Sequence, residues 1–313
     1  MFDGTPPGHP FEAPIRSPGS GYNSTVPQGI EPSNLDKLFW PEDGLTKGDL
    51  LAYFESVAPV LVPHLRGRPL TVKRYPDGIQ GAMFYQKNAP GYTPAWVRTV
   101  TLPSPGGKRQ EVRYPLCNSK RTLLWLANQA AIELHPWLSR ADRIHRPDYL
   151  VMDLDPTEAD FDRAVEAAYL MKDVLDEVGL KAVAKTSGAK GVHVYVPLQR
   201  RYDYGRVRAA AVALSARAEE RAPDLTTTAF RIADRGGRVY LDAGRNAPGA
   251  HIIAPYSPRA RPGATVSFPV GWEDLRHVHP GDFTIRNVPD ILEDRGDVWR
   301  KLSPSPQALP RDL

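Results

Sequence analysis

The stretch YLVMDLDP at 149–156 decides how this chain is read. A short apolar run of this length, with acids at its far end, fits a buried strand better than a helix. Side chains of a strand alternate between faces, so Asp153 and Asp155 point the same way. A second apolar run, RVYLD at 238–242, again ends in an acid, Asp242. Between the two runs, residues 160–179 show helical spacing with Gly179 as a stop. Ala182–Lys185 and Val192–Val196 flank a glycine-containing turn as two strands, and Tyr204–Ala222 is a second helix. Ala250–Ala254 reads as a further strand. Upstream, Thr46 is a fitting N-cap for the helix KGDLLAYFESVAPVLVPHL. Leu70–Tyr75 and Ala82–Gln86 read as strands around the turn Pro76-Asp77-Gly78, and 103–107 as a hairpin tip. Ser119 caps a helix over 123–134 that ends at His135-Pro136. The interleaving predicts an α+β or mixed α/β body built on a mixed sheet, without internal repeats.

Composition narrows the classes. The 313 residues carry a net charge of +4, a weak pointer to a polyanionic partner. The single cysteine, Cys117, excludes an intrachain disulfide and a multi-cysteine zinc site. No apolar stretch is long enough for a membrane helix, nor do the first thirty residues resemble a signal peptide, so a cytoplasmic location is expected. Residues 1–32 are rich in Pro, Gly and Ser and read as an arm, either without fixed structure or strapped over the body. A single catalytic domain over 33–300 and a tail over 301–313 complete the expected organisation.

Two paired carboxylates repel one another, and a divalent ion with a taste for oxygen ligands removes that repulsion. Asp153 and Asp155, joined by Asp242 from a neighbouring strand, suit a two-metal site for phosphoryl transfer, with Mg²⁺ or Mn²⁺ as cofactor. Acids that merely cap strand ends are the competing reading. The loop SGAKGVH at 187–193 adds a phosphate cradle. Its glycines let backbone N–H groups approach an anion, while Ser187, Lys190 and His193 offer a hydroxyl, a point charge and an imidazole. The pattern is not a Walker A loop, because the spacing differs and a strand follows.

Read in order, LDKLFWPEDGLTKGDLLAYF (35–54), GRPLTVKRYPDG (67–78), FYQKNAP (84–90), LANQAAIELHPW (126–137), DLDP, SGAKGVHVYVPL and LDAGRN…APYSPRAR (241–261) resemble the polymerase module of bacterial DNA ligase D. That module belongs to the archaeo-eukaryotic primase superfamily. The resemblance covers about 34–300 and implies a primase-polymerase fold, with a central mixed sheet carrying the active site and helices flanking it. It further implies that Asp153, Asp155 and Asp242 ligate metal, with Asp242 also serving the attacking 3′-hydroxyl. Ser187, Lys190 and His193, joined by His135 and Arg259, would bind the triphosphate. Lys73 and the aromatic at Phe84 or Tyr85 would meet sugar and base. Lys37 and Lys47 match residues that grip a 5′-phosphate across a gap; two solvated lysines are the plainer reading. The family often has an aromatic after the third Asp, where this chain has Ala243-Gly244. With no room for ligase or nuclease modules, the chain looks similar to stand-alone members of the primase-polymerase C type.

The expected function is therefore a template-dependent nucleotidyltransferase that fills short DNA gaps in repair, preferring ribonucleotides. Its expected partners are gapped or broken DNA, nucleoside triphosphates and a separate ATP-dependent DNA ligase. The rivals are a primase that starts chains de novo, a non-catalytic end-binding module that recruits a ligase, and a metal-dependent phosphohydrolase.

Overall fold

The structure, a computed structural model, describes residues 28–104, 110–158 and 160–313. Nearly all of the Pro/Gly-rich arm, and the hairpin tip from Pro105 onward, lie outside the described residues.

In chain order the first elements are β1 (Leu38–Trp40), β2 (Leu45–Thr46), α1 (Lys47–Leu65), β3 (Leu70–Arg74), β4 (Phe84–Gln86), β5 (Thr99–Pro103) and β6 (Glu111–Pro115). Next come α2 (Lys120–Asn128), β7 (Ala131–Pro136), β8 (Tyr149–Pro156), α3 (Phe161–Glu177), β9 (Val183–Thr186), β10 (Val192–Pro197) and α4 (Tyr204–Arg221). The chain closes with β11 (Thr226–Thr227), β12 (Val239–Asp242), β13 (Pro269–Val270), α5 (Val288–Arg295) and α6 (Val298–Leu302). The central sheet has the order β11-β12-β8-β10-β9-β13; β11 and β12 run parallel and the other neighbours antiparallel. It is thus the mixed sheet that the sequence predicts. A second sheet, β4-β3-β7, and the β5-β6 hairpin complete the strands that position the site.

Caps do much of the local work. Thr46 and Asp49 form a reciprocal capping box that starts α1, Ser119 accepts from the Thr122 amide to start α2, and Asp160 starts α3. One contiguous buried cluster runs from Ile30 to Leu313 and takes in both sheets and the helices packed on them. Leu309 and Leu313 belong to it, so the last residues lie against the body.

Two expectations fail. The helix read over 123–134 ends at Asn128, and residues 131–136 form β7. Ala130 adopts a left-handed φ of 62°, and its carbonyl accepts from the Tyr75 amide. The following six residues are all buried, and all but Ile132, which falls at a register shift, have a partner on β3. Intrinsic helix propensity of Ala and Leu yields here to a ladder available only in the folded chain. The second failure is Ala250–Ala254, which forms no strand. Only His251 bridges to Trp137, and the Ala254 amide donates to the Leu134 carbonyl. The neighbouring Leu134 amide goes instead to the Ser257 hydroxyl at 3.0 Å, so a side chain replaces the next rung of a ladder.

Candidate active site

Register assembles the site. Asp242 on β12 stands directly opposite Asp153 on β8, and Asp153 stands opposite His193 on β10, which in turn faces Lys185 on β9. Directly opposed residues share a face, so Asp242, Asp153, His193 and Lys185 form a row across four strands, with Asp155 two positions along. From Asp153 onward, hydrogen-bonding partners meet along that row. His193 Nε2 lies 3.2 Å from Asp153 Oδ1, and Lys185 Nζ donates to His193 Nδ1 at 2.8 Å. With Nδ1 accepting, Nε2 carries the proton that faces Asp153.

Arg245, one turn past Asp242, reaches back into the row. Its Nε donates to Asp153 Oδ2 at 2.9 Å and lies 3.1 Å from Asp242 Oδ2. Lys190 Nζ lies 3.2 Å from Asp155 Oδ1 and donates to the Pro156 carbonyl at 2.5 Å. Burial pushes the Asp153 carboxyl up, but His193 and Arg245 outweigh it and hold Asp153 below the ordinary carboxylate range. Asp242 is raised, by burial first and by the Asp153 charge next. Burial, together with Lys185, lowers His193 to about 4. Burial and Arg259 push Lys185 itself well below its usual range.

Among the described residues, no three His, Cys, Asp or Glu side chains are drawn together tightly enough to hold a metal ion as they stand. The reason is visible: Arg245 lies between Asp153 and Asp242, and Lys190 draws on Asp155. The donor chemistry still fits a hard divalent ion, with three carboxylates on one sheet face and a cation already bridging two of them.

The 187–191 loop closes on itself. The Ala189 and Gly191 amides donate to Ser187 Oγ at 3.1 and 3.0 Å, and the Ser187 amide donates to the Gly191 carbonyl. Ser187 therefore has a structural duty and keeps its own O–H for an outside acceptor. Gly188 has φ 67°, and a Cβ on Gly191 would meet the Leu154 carbonyl oxygen at 2.4 Å. The loop thus needs glycine once for conformation and once for close approach.

Across the cleft, the second sheet holds a buried acid, Glu133, with Lys73 and His135 of the same sheet and Arg259 from outside it gathered round. Glu133 accepts from His135 Nε2 at 3.0 Å, pairs with Lys73 at 3.0 Å and lies 3.6 Å from Arg259 Nε. Burial opposes its charge, and these three neighbours more than compensate, holding Glu133 below the ordinary range. Burial lowers His135 to about 4. Lys73 Nζ also sits 5.3 Å from the Tyr85 ring centroid.

A cleft of about 290 Å³ is lined by Lys73, Tyr85, His135, Asp153, Asp155, Ser187, Lys190, His193, Arg245 and Arg259, with His251 and Ile252 at its wall. Asp242 opens onto a neighbouring cavity of about 460 Å³ that Phe230 and Tyr240 also line. Phe84 and Tyr85 follow one another on β4 and so take opposite faces; only Tyr85 faces the cleft. Lys37 and Lys47 lie apart from it, at β1 and the start of α1. Lys37 pairs with Asp77 at 2.6 Å, and Lys47 donates to the Ser33 carbonyl at 2.6 Å. Sequence reasoning missed Glu133, Lys185, Arg245 and His251. The signal for the first two is a charged residue inside an apolar strand run, and for Arg245 a spacing of three from Asp242.

The family model for the LigD primase-polymerase domain matches residues 46–299. The chain belongs to the LigD primase-polymerase domain family. With that family comes the enzyme class, a polymerase-type nucleotidyltransferase. A bifunctional non-homologous end joining protein LigD of Bacillus subtilis is 34% identical over 293 residues, 92% of this chain and 46% of that protein. The multifunctional LigD of Mycolicibacterium smegmatis is 32% identical over 86% of this chain and 35% of its own length. The chain thus spans less than half the length of these relatives. The polymerase domain of Mycobacterium tuberculosis ligase D, solved in complex with DNA, superposes with a TM-score of 0.81 at 30% identity. That match covers 88% of this chain and 98% of that domain.

Proposed function

We propose that this LigD primase-polymerase domain extends a primer strand by one or a few nucleotides opposite a template, filling short gaps at DNA breaks during end joining. The observation that carries this reading is the cross-strand pairing of Asp242 with Asp153, with Asp155 beside them, at the edge of a cleft ringed by cations. Asp153, Asp155 and Asp242 would hold two divalent ions, Mn²⁺ or Mg²⁺. When bound, such ions activate the primer 3′-hydroxyl and steady the charge on the departing pyrophosphate.

The chain's own groups supply the rest. Ser187 presents its O–H, and Lys190 and Arg259 present donors where triphosphate oxygens come to lie, while His193 and His135 would join them by turning their Nε2 protons from Asp153 and Glu133. Glu133 keeps Lys73, His135 and Arg259 fixed before substrate arrives, which lowers the ordering needed on binding. Tyr85 offers a ring for the base, and stacking tolerates any of the four. Ribonucleotide preference and a 5′-phosphate grip by Lys37 and Lys47 are the finer parts of the proposal. Lys47 is lowered to about 8 by burial and by the charges of Lys37 and Arg74, so a bound dianion would relieve both. The catalytic domain is taken as 33–300. A separate ATP-dependent ligase is the proposed partner that seals the filled gap. Among the described residues, no helix is long and apolar enough to cross a membrane.

Extension on a gapped primer-template tests the assignment. Asp153→Ala with Asp155→Ala abolishes incorporation while circular dichroism stays unchanged. Retained incorporation would remove the carboxylates from the mechanism. Products from an unprimed template would favour a de novo primase, and free phosphate without extension a phosphohydrolase.

A further inference from the structure

A cavity of about 870 Å³ lies apart from the cleft described above. Its walls include Tyr149 of β8 and Pro197 of β10, the ends of those strands remote from Asp155 and the 187–191 loop. Along β8 the step from Asp153 to Tyr149 is about 13 Å. The cavity also touches Arg66, which follows the C-terminal end of α1, whereas Lys47 begins that helix. The 19 residues of α1 separate the two by about 28 Å.

The charge accounting of this cavity is one-sided. Its lining contains Arg66, Arg98, Arg140 and Arg200 against Asp142 and Asp148. Both acids are already committed. Arg200 grips Asp142 through two hydrogen bonds of 2.9 and 2.7 Å. Asp148 Oδ2 accepts from the buried Arg68 at 2.7 Å and from Arg140 at 3.1 Å. Arg66 and Arg98 are exposed, and neither has a side-chain partner among the described residues. Two guanidinium groups are therefore left over at the mouth of an open cavity whose acids are neutralised. A planar, permanently charged fork matches phosphate oxygens better than any other common group.

We infer that this arginine cleft is a second nucleic-acid contact, holding the phosphodiester backbone of a DNA strand at a point remote from the reacting end. That the strand is DNA rests on the proposed polymerase function; that the ligand is a phosphate backbone rests on the cleft itself. Arg66 and Arg98 supply the free donors. Arg140 and Arg200, held by Asp148 and Asp142, line the cavity behind them. A contact this far from the carboxylates would add affinity for longer substrates without touching the chemistry.

Fluorescence anisotropy with labelled single-stranded and duplex oligonucleotides, repeated across a salt series, tests the cleft. The Arg66→Glu/Arg98→Glu variant is expected to bind about tenfold or more weakly near 100 mM salt. Its slope of log affinity against log salt should be shallower by about 1.4 on single strands or about 1.8 on duplex. A fall in one arm alone identifies the form of strand held. The control is Arg217→Glu/Arg300→Glu, the same charge change placed on α4 and α6. If the control weakens binding equally, or if the cleft variant keeps wild-type affinity and slope, the inference is overturned. Tripolyphosphate matching DNA as a competitor in wild type but not in the variant would show a free-phosphate site and would also overturn it. Wild-type extension of a gapped substrate in the same preparation is scored separately. Its absence would defeat the polymerase reading and leave the binding result standing.

Discussion

Arg245 is the residue on which the site's two possible states turn. Its guanidinium bridges Asp153 and Asp242 and so supplies the positive charge that two facing carboxylates require. A divalent ion bound by the same carboxylates, as proposed, would compete with it. Arg245→Gln removes the internal cation, and the metal-free protein is expected to melt about 1–2 °C lower, in line with roughly one kcal/mol for a chain of 313 residues. Added Mn²⁺ should then raise the melting temperature by more in the variant than in wild type. Equal metal-induced shifts in differential scanning fluorimetry would show that Arg245 is a bystander. The three acids and the 187–193 residues were legible because strand alternation and glycine placement are local. Glu133 and Lys185 were not, since their burial depends on which strands lie opposite.

At the level of elements, the turn between β9 and β10 shows how tightly the loop is tied to the strand that carries the acids. Gly191→Ala would drive a methyl against the Leu154 carbonyl on β8. The expected cost is about 1–3 kcal/mol, read as a lower urea midpoint, together with loss of nucleotide affinity. A variant with an unchanged midpoint would mean that the strands separate freely there. The start of α1 carries the second element-scale prediction. The Lys47 amide donates to the Lys37 carbonyl, so β1, β2 and the helix N-terminus bring the two lysines together. Lys37→Ala/Lys47→Ala should erase any preference for a gap with a downstream 5′-phosphate over one with a hydroxyl. Wild type binding both gaps equally would end that part of the proposal. Here the Thr46 cap was plain in sequence, whereas the α2–β7 boundary was not. Ala130 has no turn signature, and only pairing with β3 makes its left-handed conformation worthwhile.

For the whole molecule, buried imidazoles set the response to acid. Burial lowers His64 to about 3, and His135 and His193 to about 4. In the unfolded chain each titrates near 6.5. Below that pH the unfolded state takes up protons that the native state refuses, so stability falls as pH drops from about 6.5 towards 4. Each such group contributes a slope of up to about 1.4 kcal/mol per pH unit. Urea titrations across this window should show the decline, and His64→Phe should flatten it. A pH-independent midpoint between 6.5 and 4.5 would contradict the burial of these rings.

The sequence alone determined the strand that bears Asp153 and Asp155, the acid ending β12, the glycine loop and the capped helices, because each rests on local periodicity or a single residue's conformational need. The mixed sheet followed from their order. Tertiary structure alone decided that Asp242 faces Asp153, that Glu133 gathers Lys73, His135 and Arg259, and that Arg245 lies between two acids. It alone opened an arginine cleft at the far end of the same strands. Those facts are pairings between residues distant in the chain, and pairing is set by register and packing, which no local pattern encodes.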